Sequence, residues 1–253
     1  MLRKIFKSRV KPSKAPGSIP AGERVYAIGD IHGCLDLLDQ LLGMIDIDDH
    51  ARGPAQTTLV FLGDLIDRGP ESAAVIDRLI ALRADRPTAR FILGNHEEIF
   101  LGSIDGDEKA VRLFCRIGGR ETVLSYGVTP EAYERSDHHE LCATLQSVVP
   151  ADHRSFLAGF EDLIEIGDYA FVHAGVRPDR PLADQRKADL RWIRDVFLDY
   201  PGPLEKIIVH GHTIADDIEI GAHRIGVDTG AYATGRLSAV GLEGNESWHL
   251  QTG

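Results

Sequence analysis

Short apolar runs at residues 25–28, 59–62 and 91–93 end in GDIHG (29–33), GDLIDRG (63–69) and GNHE (94–97) respectively. Asp30 and Asp64 are thirty-four positions apart, and Asp64 and Asn95 thirty-one. A strand, crossover helix and parallel strand need about thirty residues, so this rhythm predicts two successive βαβ units. Between the runs, Leu35, Leu38, Leu41, Leu42 and Ile45 mark one helical face. Val75, Ile76, Leu79, Ile80 and Leu82 mark a second, with Pro70 suited to its first turn. Such crossovers are right-handed and gather the strand C-termini on one edge, where open α/β sheets hold ligands. The three motifs are therefore expected in one crevice.

They supply Asp30, His32, Asp64, Asp67, Asn95, His96 and Glu97, oxygen and imidazole donors of the kind that hold divalent metals. Later apolar runs end at HAG (173–175) and HGHT (210–213), and residues 225–227 lead into DTGA (228–231). A two-metal hydrolytic site holds its ions about 3.5–4 Å apart and needs a bridging carboxylate. Asp64, in the middle motif, suits that place. Asp30 and His32 can reach one metal; Asn95, His173 and a histidine of HGHT can complete the other. Two divalent ions are therefore expected, and mixed nitrogen and oxygen ligands favour Mn, Fe or Zn over an all-oxygen Mg or Ca site. Arg68 and Arg194 are planar forks suited to a phosphoryl group. Asp67 and His96 can form a carboxylate–imidazole pair, with His96 passing a proton to a leaving oxygen. His210 can share a side with His212 on an extended strand, so its part in the site stays open. Asp228 is a candidate support behind a ligand.

The rest of the chain reads as follows. Residues 98 to about 165 break the strand rhythm, and Pro130 and Pro150 each open a helical pattern. This predicts a mainly helical insertion within one domain spanning 23–253. His138, His139 and His153 fall there and are expected at the surface. The acids of DGDE at 105–108 lack the EF-hand spacing and read as a solvated loop. Further strands are expected at 169–172, 207–209, 225–227, 237–242 and 248–251, compatible with a second sheet packed on the first. Cys34, Cys115 and Cys142 are three in number with no CxxC, which points to reduced thiols and a cytoplasmic setting. Cys34 is expected to pack as a small apolar residue.

Net charge is −11, yet Arg3, Lys4, Lys7, Arg9, Lys11 and Lys14 fall in the first twenty residues with no acid, leaving −17 on the remainder. An acidic body argues against stable nucleic-acid binding and against a metallonuclease, which wants a basic groove. No apolar run reaches the eighteen or so residues of a membrane span, and the basic head lacks the apolar core of a secretory signal. Residues 1–22 are expected to form a flexible basic tail, with KPSKAPGSIPAG (11–22) as its lead-in. Such a tail can make weak electrostatic contact with an anionic membrane or an acidic partner.

At these motifs the chain resembles the phosphoprotein phosphatase branch of the calcineurin-like metallophosphoesterases. GDIHG, GDLIDRG, GNHE, HAG, GHT and DTGA occur in family order from residue 29 to residue 231. The resemblance implies an α/β fold: a β-sandwich flanked by helices, with a dinuclear centre between strand ends. It implies Asp30, His32 and Asp64 on one metal, and Asp64, Asn95, His173 and His212 on the other. It also implies Arg68 and Arg194, the latter from LRWIR, on phosphate, and His96 as general acid. The expected activity is phosphomonoester hydrolysis of the serine/threonine protein phosphatase kind, by hydroxide activated at the metals, on a phosphorylated protein or a small phosphoester. Symmetrical hydrolysis of diadenosine tetraphosphate is the alternative. Asp67 and Glu97 place the motifs nearer the protein phosphatase pattern. A metal-stabilised, non-catalytic scaffold is a further alternative, but it predicts a lost ligand or arginine, and none is lost.

Overall fold

The computed structural model describes residues 13–14 and 16–253. The cations Arg3, Lys4, Lys7, Arg9 and Lys11 of the expected tail lie outside the described residues. In chain order the first half runs β1 (Ser13–Lys14), β2 (Glu23–Ile28), α1 (Leu35–Arg52), β3 (Gln56–Phe61), α2 (Ser72–Asp85) and β4 (Arg90–Phe91). The helices α3 (Asn95–Ile104), α4 (Glu108–Ile117), α5 (Gly119–Ser125), α6 (Pro130–Arg135), α7 (His138–Val148) and α8 (Ala151–Ala158) follow. Then come β5 (Ile164–Ile166), β6 (Tyr169–Phe171), α9 (Lys187–Trp192), α10 (Asp195–Leu198), β7 (Ile207–His210), β8 (Glu219–Ile220), β9 (Arg224–Gly226), α11 (Ala231–Thr234), β10 (Ser238–Glu243) and β11 (Glu246–Gln251).

Among the described residues the strands form two mixed sheets, in the orders β1-β11-β10-β2-β3-β4 and β5-β6-β7-β9-β8. β2, β3 and β4 are parallel, so both expected βαβ units are present. β6, β7 and β9 are parallel in the second sheet. Alternating side chains of both sheets meet in a shared core: Val25, Ala27, Val60 and Leu62 from one, Tyr169, Phe171, Val209 and Ile225 from the other. The other face of the first sheet is covered by α1 and α2 and continues into the helical segment. On α1 the stripe Leu38, Leu41, Leu42 and Ile45 is buried, worth about 1.5–3 kcal/mol for each side chain. The outer face of the second sheet packs on Leu190 and Phe197. No helix among the described residues is long and apolar enough to cross a membrane.

Three expectations need correction. Residues 16–22 of the expected lead-in are docked: Ile19 is 1% exposed, in the core between the sheets, and its N–H donates to Gly244 O at 2.8 Å. Ile19 anchors the segment as its apolar area leaves water, and Ser18 N–H donates to Asp168 Oδ2 at 2.9 Å. His153 is not a surface residue. It is 3% exposed, with Tyr126 Oη 3.0 Å from Nδ1 and Asp77 Oδ1 2.9 Å from Nε2, so both ring nitrogens are satisfied without solvent. Pro70 precedes α2 by two residues rather than lying in its first turn. β4 is short because the chain turns into α3 at Asn95. Elsewhere the acids of DGDE (105–108) are exposed, and Asp107 caps α4 by accepting Lys109 N–H.

One buried polar cluster braces this frame. Asp48 Oδ2 accepts from Tyr26 Oη, Trp248 Nε1 and Arg52 Nε, each at 2.7 Å. It thereby ties α1 to β2 and β11, and the Arg52 guanidinium lies 3.3 Å over the Trp248 ring.

Candidate metal centre

The motif loops leave the C-terminal ends of β2, β3, β4, β6, β7 and β9, all parallel within their sheets. Both sheets therefore deliver donors to one edge. The described non-glycine residues with φ in the left-handed region are His32, Asp64, Asp67, Arg68 and His212, at +48° to +71°. All were singled out as candidate site residues. Holding each there costs on the order of 1–3 kcal/mol, so other contacts must hold these loops in place.

Those contacts converge on Glu97. It is fully buried, and its Oε2 accepts Asp64 N–H at 2.9 Å and Gly94 N–H at 3.0 Å while Oε1 accepts Leu65 N–H at 2.8 Å. Glu97 thus clamps the GDLIDRG loop onto the start of α3 rather than joining the metal donors. Burial, and then Asp64, push its carboxyl up to about 7. The three N–H groups nonetheless require both of its oxygens as acceptors. Gly94 is glycine because a Cβ there would come within 2.2 Å of Asp64 Oδ1. Asp67 is held from the other side: its N–H meets Ser72 Oγ at 3.0 Å and Thr122 Oγ1 at 2.9 Å, and Thr122 Oγ1 also donates to Asp67 Oδ1.

Asp64 is the hub. Its Oδ2 lies 3.4 Å from His173 Nε2 and 3.8 Å from both His32 Nε2 and His96 Nε2. Around it, His32 with His96, and His173 with His212, form two groups spaced to hold a metal ion. His32 Nδ1 lies 2.7 Å from Ile66 O, and His173 Nδ1 2.8 Å from Leu62 O. Each Nδ1 must donate there, which leaves each Nε2 lone pair aimed into the site. His173 Nε2 then faces Asn95 Oδ1 at 2.9 Å and His212 Nδ1 at 3.2 Å. Asn95 Oδ1, His212 Nδ1 and Asp64 Oδ2 all crowd one imidazole nitrogen, an arrangement that calls for positive charge among them. Asp30, 2% exposed, accepts the His212 N–H at 3.0 Å through Oδ2, and Gly211 leaves room, since a Cβ there would sit 2.1 Å from Asp30 Oδ1.

The electrostatics agree. Burial, then Asp228 and Asp64, hold Asp30 well above the ordinary carboxylate range. Burial opposes charge on Asp64 too, but His173, His96 and His32 hold it well below that range. Burial pushes His32 down to about 3. Burial, then His173, and with them Arg194, push His212 down to about 2 against Asp64. Neutral imidazoles at His32 and His212 and an ionised Asp64 are ligand forms, while burial at His173 is outweighed by Asp64, which raises it; with the raised Asp30, this is the charge imbalance that a bound cation would offset. The donor set therefore fits two divalent ions, with Asp64 able to serve both.

His96 Nδ1 is 2.6 Å from Asp67 Oδ2. Arg68 reaches across the site, Nη1 3.0 Å from His32 Nε2 and Nη2 3.1 Å from His96 Nε2. Of the two arginines in LRWIR, Arg191 is buried, pairing with Glu98 and Asp162. Arg194 is exposed and within electrostatic reach of His212. His210 is not in the group. Its ring meets Phe197 edge-on at 5.1 Å on the outer side of β7, and its Nε2 is buried without a partner. The spacing of two from His212 misleads because the chain leaves extended geometry there, with φ +65° at His212. The groove of about 400 Å³ lined by Phe197, Tyr200, Glu219 and Arg224 contains none of the candidate ligands. Asp228 accepts Gly230 N–H and adds to the negative charge that raises Asp30. Cys34 is buried, its thiol pushed up to about 11 by burial, which suits packing rather than nucleophilic attack.

Sequence reasoning overlooked Thr122, Ser72 and Glu98, and misread Glu97. Glu98 accepts from Arg191 Nη1 at 2.7 Å and Trp192 Nε1 at 2.6 Å, joining α3 to the segment that carries Arg194. The short step from GNHE to Glu98 is the only signal that could have pointed to it.

Comparison with known proteins adds the following. The profile of the family described as calcineurin-like phosphoesterase matches residues 23–237. A symmetrical bis(5'-nucleosyl)-tetraphosphatase of Acidovorax ebreus is 31% identical over 184 residues, 73% of this chain and 51% of that protein. The chain thus spans about half the length of the symmetrical relative. An asymmetrical bis(5'-nucleosyl)-tetraphosphatase, PrpE, of Anoxybacillus flavithermus is 27% identical over 237 residues, 84% of this chain and 88% of that protein. The solved structure of a putative diadenosine tetraphosphatase superposes with a TM-score of 0.62 at 23% identity, covering 94% of this chain and 99% of that one, a likeness of fold.

Proposed function

The chain belongs to the calcineurin-like phosphoesterases, metal-dependent phosphoester hydrolases, and we propose that it hydrolyses a dinucleoside tetraphosphate. The observation that carries the hydrolytic reading is Asp64 Oδ2, within 3.8 Å of Nε2 of His32, His96 and His173. For the substrate, relatives named for both modes of tetraphosphate cleavage support this reading over the phosphoprotein that the motif pattern favours. The asymmetrical type spans nearly the whole of both chains.

Asp30, His32 and Asp64 would hold one divalent ion, and Asp64, Asn95, His173 and His212 the other. When bound, the ions supply charge against the phosphoryl group and lower the pKa of water toward neutrality. The chain's residues do the rest. Arg68 and Arg194 neutralise phosphoryl oxygens, and the planar fork of each matches two oxygens at once. Phosphate draws Arg68 from His32 and His96, freeing His96 Nε2. Asp67 accepts from Nδ1. Burial opposes charge on His96, but Asp64 and Asp67 raise it, so the imidazolium carries a second proton on Nε2 that passes to the leaving oxygen.

A second reading, a protein phosphomonoesterase, is favoured by that same Asp67–His96 pair at 2.6 Å, because a serine alkoxide needs a proton more than a phosphate leaving group does. A panel with added Mn decides: diadenosine tetraphosphate, phosphopeptides, an aryl phosphate and single-stranded DNA. The tetraphosphate reading expects the highest kcat/KM on diadenosine tetraphosphate, and ATP with AMP, or ADP alone, identifies the cleavage mode. Turnover of phosphopeptides without turnover of diadenosine tetraphosphate refutes it.

A further inference from the structure

Tyr232, outside every motif, stands at the rim of the site. It lies on α11, just past DTGA, and is 40% exposed. The Arg68 guanidinium is 4.8 Å from its ring centroid, and the His32 ring meets it edge-on at 5.3 Å. Arg68 Nη1 and His32 Nε2 are themselves 3.0 Å apart, so the phenol ring borders the phosphate arginine and a candidate metal ligand together. Ile214, 46% exposed, is a second exposed apolar side chain nearby: it sits beside Gly230, two residues before Tyr232, where a Cβ would come within 3.0 Å of Ile214 Cγ2. A single exposed aromatic needs no explanation. Here a partly exposed phenol ring lies against the arginine assigned to phosphate, among residues otherwise charged and polar.

We propose that Tyr232, with Ile214 nearby, is a stacking shelf for a planar aromatic group carried next to the phosphoryl group. On the tetraphosphate reading, on which the identity of that group rests, it is a nucleobase. Every base offers a π-face, so such a shelf selects for bases without choosing among them. It also separates base-bearing substrates from base-free phosphate chains that the metals and arginines alone would hold.

The test uses Tyr232→Leu and Tyr232→Phe in the whole, Mn-loaded chain. Two quantities are compared: kcat/KM for diadenosine tetraphosphate against inorganic tetraphosphate, and calorimetric affinity for AMP against inorganic phosphate. Tyr232→Leu should lower kcat/KM on the dinucleotide about tenfold, mainly through KM, and AMP affinity by a similar factor, the scale of a lost base–aromatic stack. Inorganic tetraphosphate and phosphate should change less than about twofold, and Tyr232→Phe should keep wild-type behaviour, because stacking uses the ring face. Equal losses with base-bearing and base-free probes would make Tyr232 a positioning residue for Arg68 and overturn the shelf. An unchanged AMP affinity would overturn it as well. If the wild-type protein does not hydrolyse diadenosine tetraphosphate, the tetraphosphate reading falls by itself, and the AMP-to-phosphate ratio still decides the shelf.

Discussion

Replacing Glu97 by glutamine should dismantle the centre without touching a candidate metal ligand. Both carboxylate oxygens are in use: Oε2 accepts two backbone N–H groups and Oε1 a third, all buried. Glutamine offers one oxygen and one NH2 group. With its oxygen in the Oε2 position, Asp64 and Gly94 keep their bonds but lose charge assistance, about 1 kcal/mol each. The NH2 group then faces Leu65 N–H, leaving a buried donor unpaired at about 1–3 kcal/mol. Removing a carboxylate beside Asp64 returns part of this, since burial and Asp64 already push Glu97 up to about 7. The net expectation is a loss of about 2–4 kcal/mol. Asp64, at φ +49°, also loses part of what holds its backbone. Urea denaturation with excess chelator isolates the stability term, because bound metal would otherwise add its own linkage. Metal content after Mn loading, by elemental analysis, reads the second effect and should fall below two ions per chain. Stability within about 0.5 kcal/mol of wild type, the range of an ordinary surface change, together with full metal content would refute the clamp.

His96→Asn should hurt phosphoserine substrates much more than an aryl phosphate whose leaving group needs no proton; equal losses at unchanged metal content would count against the acid role. Arg194→Lys should lower kcat/KM and weaken inhibition by inorganic phosphate with stability within about 0.5 kcal/mol, whereas Arg191→Ala, which leaves Glu98 and Asp162 without their guanidinium, should lower the melting temperature; the reverse pattern would exchange the two assignments. Asp48→Asn should cost about 2–4 kcal/mol at neutral pH, since it weakens charge-assisted bonds to Tyr26, Arg52 and Trp248. Burial opposes the Asp48 charge, but Arg52, Tyr26 and Trp248 hold its carboxyl below the usual range. A depressed folded-state value contributes stability above the unfolded pKa of about 3.9 and loses it as pH falls through the folded value. The gap between wild type and Asp48→Asn should therefore be flat above about pH 5 and close below about pH 4, as followed by denaturant midpoints; a gap that persists undiminished in acid would refute the ionic account.

The helical segment shows where sequence reading stops. Its helices follow from period and from Pro130 and Pro150, which sit at the first turn of α6 and just ahead of α8. Its contribution to the centre does not. Thr122, on α5, supports Asp67 from 55 positions away, and nothing in GGRETVLSYG marks that threonine from its neighbours. His153 reads as a surface histidine until Tyr126 and Asp77 are seen to take both ring nitrogens.

The sequence alone determined which donors are present and that parallel strands would carry them to one edge. Ligand type, apolar runs and crossover length are local properties written directly in residue order. Tertiary structure alone decided three matters. It separated His212 from His210 through a left-handed residue that breaks strand alternation. It made Glu97 a clamp on three backbone N–H groups rather than a ligand. It set the ring of Tyr232 beside Arg68. The reason is common to all three. A backbone N–H looks the same under every side chain, and a ring stacked on an arginine 164 positions away leaves no periodic trace, so such contacts exist only once the chain has folded.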